Sequence, residues 1–283
     1  MGPIGVFDSG MGGLTVLRAL HRRLPAEDFL YFGDTARVPY GTKGERTVRA
    51  FAEQNAAFLM SRGVKMIVVA CNTASAFALA HLQDRLPVPV LGVIEPGVHA
   101  ALARTRGGVI GVIATRGTIN SGRYQELLAR EIPASRVLAR PCPLLVPLVE
   151  EGMIEHEITR QVVAADLGSL QGAGVDTLIL GCTHYPLLKD VIGRFMGPDV
   201  ALVDSAETLA EAAVGLLKER GLNRVGTHAP GKMAFWLSDI PWKFQEVGSR
   251  FLGHPIDEVQ TVNVNEANWD GHLDLPEVRE DNT

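Results

Sequence analysis

Two cysteines close two similar segments of the chain, and their thiols are the groups best suited to chemistry. Residues 63–73 read GVKMIVVACNT and residues 174–184 read GVDTLILGCTH, so Cys71 and Cys182 stand 111 positions apart. A free cysteine titrates near pKa ~8.5, so a modest depression lets it exchange protons near neutral pH. A lone cysteine is more often a small buried apolar residue, but the duplication predicts two chemically active thiols at equivalent places.

Polar residues follow both thiols. Asn72-Thr73 comes after the first cysteine and Thr183-His184 after the second. Amide, hydroxyl and imidazole groups suit the carboxylate and ammonium of an amino acid, although the same residue types also cap helices. The imidazole of His184 can in addition lower the pKa of the neighbouring thiol or assist proton transfer.

A zinc site is the competing interpretation of Cys182 and His184. It needs about four ligands at recognisable spacing, and only the distant Cys71 and Cys142 are left to complete it. We therefore predict no metal. Cys142 lies between two prolines, has no duplicate at a strand end, and is predicted to be structural.

Two further segments carry candidate binding residues. Asp8-Ser9 ends the first apolar run before a glycine-rich turn, and GMGG lacks the GxGxxG spacing of a dinucleotide site. Asp8 as a simple helix cap is the alternative. The loop GDTARVPYG at 33–41 offers the Tyr40 hydroxyl and the Gly41 N–H, or else is only a connection.

The adjacent carboxylates Glu150 and Glu151 follow the apolar run PLLVPLV. Either could project from a helix end towards a cleft, and both could equally be solvated. The sequence alone leaves the choice between them open.

Apolar runs of strand length alternate with helix-like stretches in both halves of the chain. This pattern predicts an α/β fold of two similar domains with mostly parallel sheets, related by pseudo-two-fold symmetry. Since ligands bind at the carboxyl ends of parallel strands, the active site is expected in the cleft between the domains. The predicted strands are 4–7, 29–32, 66–70, 88–93, 109–113, 136–139, 177–180 and 201–203.

Two domains are also expected from the length of 283 residues. We predict a discontinuous first domain of residues 1–94 and 206–254, a second domain of residues 95–205, and a mobile polar tail of residues 255–283. IEPGVHA at 94–100 is predicted to be the crossing between the domains, because Pro and Gly punctuate it.

Charge and hydropathy exclude several classes of function. The net charge is −5, but residues 266–283 hold six acids and one Arg, so the rest of the chain is neutral and offers no footprint for nucleic acid. No stretch approaches the ~20 apolar residues of a membrane span. Three cysteines in a chain of this length indicate reduced thiols and a cytoplasmic protein.

Taken together, these motifs resemble the glutamate racemases of the cofactor-independent aspartate/glutamate racemase superfamily. The resemblance runs from about Ile4 to Gly253. Five blocks carry it, in the family's order: GVFDSGMGGLTV, FGDTARVPYG, VACNTASA, GVIATRGTI and GCTHYPLL.

The resemblance implies two α/β domains that interconvert L- and D-glutamate without pyridoxal phosphate, another cofactor or metal. It also implies a homodimer that supplies D-glutamate for peptidoglycan, with Cys71 abstracting from D-glutamate and Cys182 from L-glutamate. The catalytic residues it implies are Cys71, Cys182, Asp8, His184 and Glu150. The substrate-binding residues it implies are Asp8, Ser9, Tyr40, Gly41, Asn72, Thr73, Thr183 and His184.

Other functions stay open at this point. An aspartate or related racemase would share the cysteine pair and differ in pocket length. A two-lobed amino-acid binding module would close on its ligand without reaction, and would have no need of two thiols. A thiol hydrolase would leave the second cysteine unexplained, and no lysine has a convincing context for a pyridoxal enzyme.

Overall fold

The first sheet is built from both ends of the chain. The computed structural model describes residues 2–224 and 229–262. Every strand pair in this sheet is parallel, and the strand order is β10-β9-β2-β1-β3-β4. The strands are β1 (Ile4–Asp8), β2 (Phe29–Gly33), β3 (Met66–Val69), β4 (Val90–Gly92), β9 (Met233–Leu237) and β10 (Gln260–Thr261).

The second sheet repeats the core of the first. Its strands are β5 (Val109–Ala114), β6 (Val137–Pro141), β7 (Val175–Gly181) and β8 (Ala201–Asp204). They are parallel, and their order β6-β5-β7-β8 matches the order β2-β1-β3-β4. The parallel α/β prediction is confirmed, and each of the eight strands expected from the sequence is present with ends that differ by at most two residues.

Helices cover both faces of the first sheet, which explains why β1, β2 and β3 are buried along their whole length. One apolar cluster packs α2 and α3 on one face, with Phe32 and Phe58 among its members. A second cluster joins the other face to the second sheet through α4 and α10. The helices are α1 (Leu14–Arg23), α2 (Glu45–Ser61), α3 (Asn72–Arg85), α4 (Ile94–Arg104), α5 (Arg116–Asn120), α6 (Arg123–Ala129), α7 (Leu145–Glu150), α8 (Glu157–Gly172), α9 (Lys189–Met196), α10 (Ser205–Glu219) and α11 (Phe244–Leu252).

The segment expected to be the crossing between the domains is helical. It forms the start of α4, which connects β4 of one sheet to β5 of the other. Pro96 falls in the first turn, where its missing N–H costs no helical hydrogen bond. Pro96 and Gly97 therefore lie near the start of a helix.

The C-terminal part rejoins the first sheet. β9 pairs with β2, and the Val262 N–H donates to the Leu237 carbonyl at 2.9 Å. Part of the predicted tail therefore packs on the described fold, since β10 pairs with β9 and Ile256 is buried. Residues 263–283 of the predicted tail lie outside the described residues. The division into domains stays a prediction. Among the described residues, no helix is long and apolar enough to cross a membrane.

Candidate active site

Both duplicated cysteines follow equivalent strands and line one cavity of about 320 Å³. Cys71 is the N-cap of α3 and its Sγ accepts the Ala74 N–H at 3.5 Å. Cys182 comes directly after β7 and precedes a 3-10 turn that leads into α9. Each is 6% exposed. The predicted residues that line the cavity are Ser9, Tyr40, Gly41, Cys71, Asn72, Thr73, Glu150, Cys182, Thr183 and His184.

The Cys71 thiol is held in its protonated form by its surroundings. Burial and then the negative charge of Asp8 raise its pKa to about 12. The hydrogen bonds with the Ala74 N–H and with Ser9 Oγ, 3.7 Å away, lower it by less. Desolvation therefore outweighs the backbone donor at the start of α3.

Asp8 lies behind Cys71, fully buried and outside the lining of the cavity. Its Oδ2 accepts the Gly10 N–H at 2.9 Å, whereas the N-cap of α1 is Gly13. Asp8 is thus no helix cap. Burial raises the pKa of its carboxyl, and the charge of His184 opposes that rise. Oδ1 is buried and lacks a hydrogen-bond partner among the described residues.

Cys182 belongs to a relay of three side chains. His184 Nδ1 lies 3.8 Å from Cys182 Sγ, and His184 Nε2 lies 2.9 Å from Glu150 Oε1. Burial lowers the pKa of His184, but its hydrogen bonds with Cys182 and Glu150 raise that pKa by a larger amount. The net result is a pKa of about 10. The imidazolium that results places a positive charge beside Cys182 Sγ. Glu151 instead pairs with Lys243 at 3.4 Å on the surface, so the structure brings Glu150 and not Glu151 to the relay.

The turn after β1 fits closely against this relay. A Cβ on Gly12 would lie 2.2 Å from Thr183 Oγ1 and 2.6 Å from His184 Nδ1. Thr15 Oγ1 also donates to the Thr183 carbonyl at 2.9 Å. Only glycine at position 12 allows the first repeat to approach the second so closely.

Asn72 carries the clearest free donor in the cavity. Its Oδ1 accepts the Tyr124 hydroxyl at 2.8 Å, while its buried Nδ2 has no partner among the described residues. Thr73 Oγ1 lies 2.9 Å from Thr115 Oγ1 and 3.0 Å from Thr118 Oγ1. These groups form a polar floor able to receive a carboxylate or an ammonium group.

The hydroxyl of Tyr40, a candidate binding group from the sequence, is hydrogen-bonded to two protein side chains. It donates to Asp34 Oδ2 and accepts from Asn55 Nδ2 at 3.0 Å. Tyr40 therefore lines the cavity with atoms other than its hydroxyl oxygen. Its neighbour Gly41 packs on the second repeat, since a Cβ there would lie 2.6 Å from the Thr115 Cβ.

Several lining residues were missed by the sequence reasoning, namely Met11, Val38, Pro39, Thr42, Thr115, Arg116, Pro143, Val146 and Pro147. Thr115 and Arg116 follow β5, the strand equivalent to β1, which ends at Asp8. The offset of 106 between GPIGVFDSG and GVIGVIATRG pairs Ser9 with Thr115. The duplication was therefore a signal in the sequence that could have identified Thr115 and Arg116 as lining residues.

Two buried thiols lie on equivalent strand ends and line one cavity of a repeated parallel fold, an arrangement suited to proton transfer on two faces of one carbon. The chain belongs to the Asp/Glu/Hydantoin racemase family, whose family model matches residues 4–213.

Relatives about half identical to this chain are glutamate racemases, as the sequence motifs predicted. The glutamate racemase of Geobacter metallireducens is 51% identical over 261 residues, 92% of this chain and 96% of that protein. The enzyme of Neisseria gonorrhoeae is 50% identical over 263 residues, 93% of this chain and 97% of its own. The crystal structure of Francisella tularensis glutamate racemase in complex with D-glutamate has a TM-score of 0.86 and 40% identity, and the match covers 93% of this chain and 98% of that chain.

Proposed function

We propose that this protein is a glutamate racemase that moves the Cα proton of glutamate between two thiols, Cys71 and Cys182. The observation that carries the proposal is the single cavity that receives both sulfurs from equivalent strand ends. The choice of glutamate is supported by relatives of about half identity that are glutamate racemases.

Racemisation breaks the Cα–H bond on one face and forms a new one on the other. From L-glutamate, the Cys182 thiolate takes the proton and the electron pair stays on Cα beside the carboxylate. The Cys71 thiol then gives its proton to the opposite face. Cys182 ends as a thiol and Cys71 as a thiolate, so charges balance and the reverse reaction starts from the exchanged states.

The two thiols begin from unequal surroundings. The imidazolium of His184 lies 3.8 Å from Cys182 Sγ, whereas burial and Asp8 raise the pKa of Cys71 to about 12. The Cys71 thiol therefore starts in its protonated form as the acid, and Cys182 is the base towards L-glutamate. Because the two enantiomers have equal free energy, kcat/KM must be equal in both directions. The difference between the two thiols therefore appears in kcat and in KM taken separately.

Neutral donors in the cavity hold the substrate. The amide of Asn72 and the hydroxyls of Ser9, Thr73 and Thr183 are assigned to its polar groups, and the Gly41 N–H adds a backbone donor. Donors aimed at the α-carboxylate stabilise the charge that develops when the proton leaves Cα. Tyr40 contributes its ring and backbone, since its hydroxyl is bonded to Asp34 and Asn55.

The proposed biological role is to supply D-glutamate for peptidoglycan in the bacterial cytoplasm, as a homodimer and without cofactor or metal. All three cysteines are free, which suits a reducing compartment. The thiol pair itself supplies both the base and the acid of the reaction.

The direct test is incubation of the purified protein with L-glutamate and no added cofactor in deuterium oxide. We expect D-glutamate to form, with one deuterium at Cα in each inverted molecule. L-aspartate serves as the matched substrate. Equal or better turnover of aspartate would overturn the glutamate assignment, and stoichiometric binding without deuterium uptake would indicate a binding module.

A further inference from the structure

An aromatic ring from the C-terminal helix lies against the imidazole of the relay. The ring centroids of Phe251 and His184 are 5.1 Å apart and their planes meet at 83°, an edge-on contact. Phe251 is fully buried and belongs to α11, beyond the residues that the family model matches.

The position of this ring is set by the first repeat. α11 packs on α1, and a Cβ on Gly248 would lie 3.2 Å from Leu14 Cδ1. His184 follows β7 of the second repeat. The contact therefore crosses from one repeat to the other and reaches only the thiol that His184 serves.

The relay depends on the plane of the imidazole. Its Nδ1 must meet Cys182 while its Nε2 meets Glu150, so a rotation of the ring weakens both contacts. The backbone at Gly12 closes one approach to the ring, since a side chain there would overlap His184. Phe251 supplies a second rigid neighbour. Edge-on aromatic pairs of this kind contribute about 0.5–1.5 kcal/mol beyond their buried area, equivalent to roughly two- to tenfold.

We propose that Phe251 is a positioning residue that fixes the imidazole of His184, and thereby supports proton transfer at Cys182 but not at Cys71. This inference rests on the proposed function of the two thiols. The charged or titratable groups around His184 are Cys182 from β7, Glu150 from α7 and Asp8 from β1. On α11 the adjacent charged residue is Arg250, whose guanidinium lies against Gly152. Replacing Phe251 leaves all of these charges in place.

A reaction that uses only one base measures the activity of each thiol on its own. Such a reaction is irreversible and requires no second thiol to return a proton to Cα. In 3-chloroglutamate a thiolate removes the Cα proton, the electron pair forms a Cα=Cβ bond, and chloride leaves from Cβ. The enamine then hydrolyses to 2-oxoglutarate and ammonium, which can be measured. The form with L configuration at Cα reports on Cys182 and the D form on Cys71.

The variants are Phe251→Leu and Phe251→Met, with Phe244→Leu as the control on the same helix, also buried at 1% exposure. We expect elimination from the L form to fall about two- to tenfold in both Phe251 variants, with the D form unchanged. The titration of His184, followed by NMR, should move below its value of about 10 in the parent. Phe244→Leu should leave the L to D ratio and the titration unchanged.

Equal losses for the two forms, or an unchanged His184 titration in a folded Phe251 variant, would overturn the proposal. Thermal melting establishes folding, and Phe251→Met, which keeps most of the volume, decides the matter if Phe251→Leu unfolds. The Cys182→Ala variant distinguishes a failure of the proposed thiol roles from a failure of the proposed role of Phe251. If it retains elimination from the L form, the proposed roles of the thiols fail whatever Phe251 does.

Discussion

Replacement of Glu150 by Gln should lower the pH at which racemisation is lost. The Glu150 carboxylate accepts from His184 Nε2 at 2.9 Å and helps to raise the pKa of that imidazole to about 10. Hydrogen bonds to charged groups contribute about 1.5–3 kcal/mol, and neutral ones about 0.5–1.5. The Glu150 side chain is 40% exposed, so solvent screening places the loss near the low end, about 1.4 kcal/mol or one pH unit.

The direction of this change in pH dependence follows from the proton that the relay holds. Racemisation of D-glutamate needs a proton on the Cys182–His184 pair, which Cys182 returns to Cα, and this proton is lost as the pH rises through the pKa of His184. Because kcat/KM is equal in the two directions, the loss of this proton lowers kcat/KM for both enantiomers. Without the carboxylate that pKa falls, so the alkaline limb of kcat/KM should move about one unit lower, with little change at pH 7.

The assay is kcat/KM for racemisation across pH, together with an NMR titration of His184. The matched control is Glu151→Gln, because Glu151 pairs with exposed Lys243 and does not touch the relay. An unchanged limb in the Glu150 variant, or the same displacement in the Glu151 variant, would refute the reasoning.

Three further substitutions test other parts of the structure. Gly12→Ala should lower kcat about ten- to a hundredfold, because its Cβ displaces Thr183, and an unaffected kcat would show that the close approach is unimportant. Tyr40→Phe should destabilise the protein by about 1–3 kcal/mol in denaturant unfolding with KM unchanged, since buried Asp34 loses a donor; a raised KM would place the hydroxyl on the substrate. Cys142→Ala should cost about 1 kcal/mol of stability and leave racemisation intact, whereas lost racemisation would give this thiol a catalytic role.

The strands and the thiol positions could be predicted because each depends on short-range pattern. Residues 66–69 form an apolar β-branched run, fully buried in a parallel sheet, and few other structures suit such a run. The repeat at spacing 111 then assigned Cys71 and Cys182 to equivalent strand ends. Both lie there and share a cavity.

What could not be predicted depends on contacts between distant segments. The raised pKa of Cys71 comes from burial and from Asp8 on another strand. The Tyr40 hydroxyl turns to Asp34 and Asn55, and the second of these lies on α2. β10 has only two residues, too short to show any period, and exists because the edge of β9 is available to pair.

The central claim is that two thiols act on opposite faces of one carbon. The most direct measurement uses Cys71→Ala and Cys182→Ala, each tested for racemisation of glutamate and for elimination from both forms of 3-chloroglutamate. Both variants should lose racemisation, while Cys71→Ala keeps elimination from the L form and Cys182→Ala keeps elimination from the D form. Racemisation at the parent rate in either variant would contradict the two-thiol mechanism.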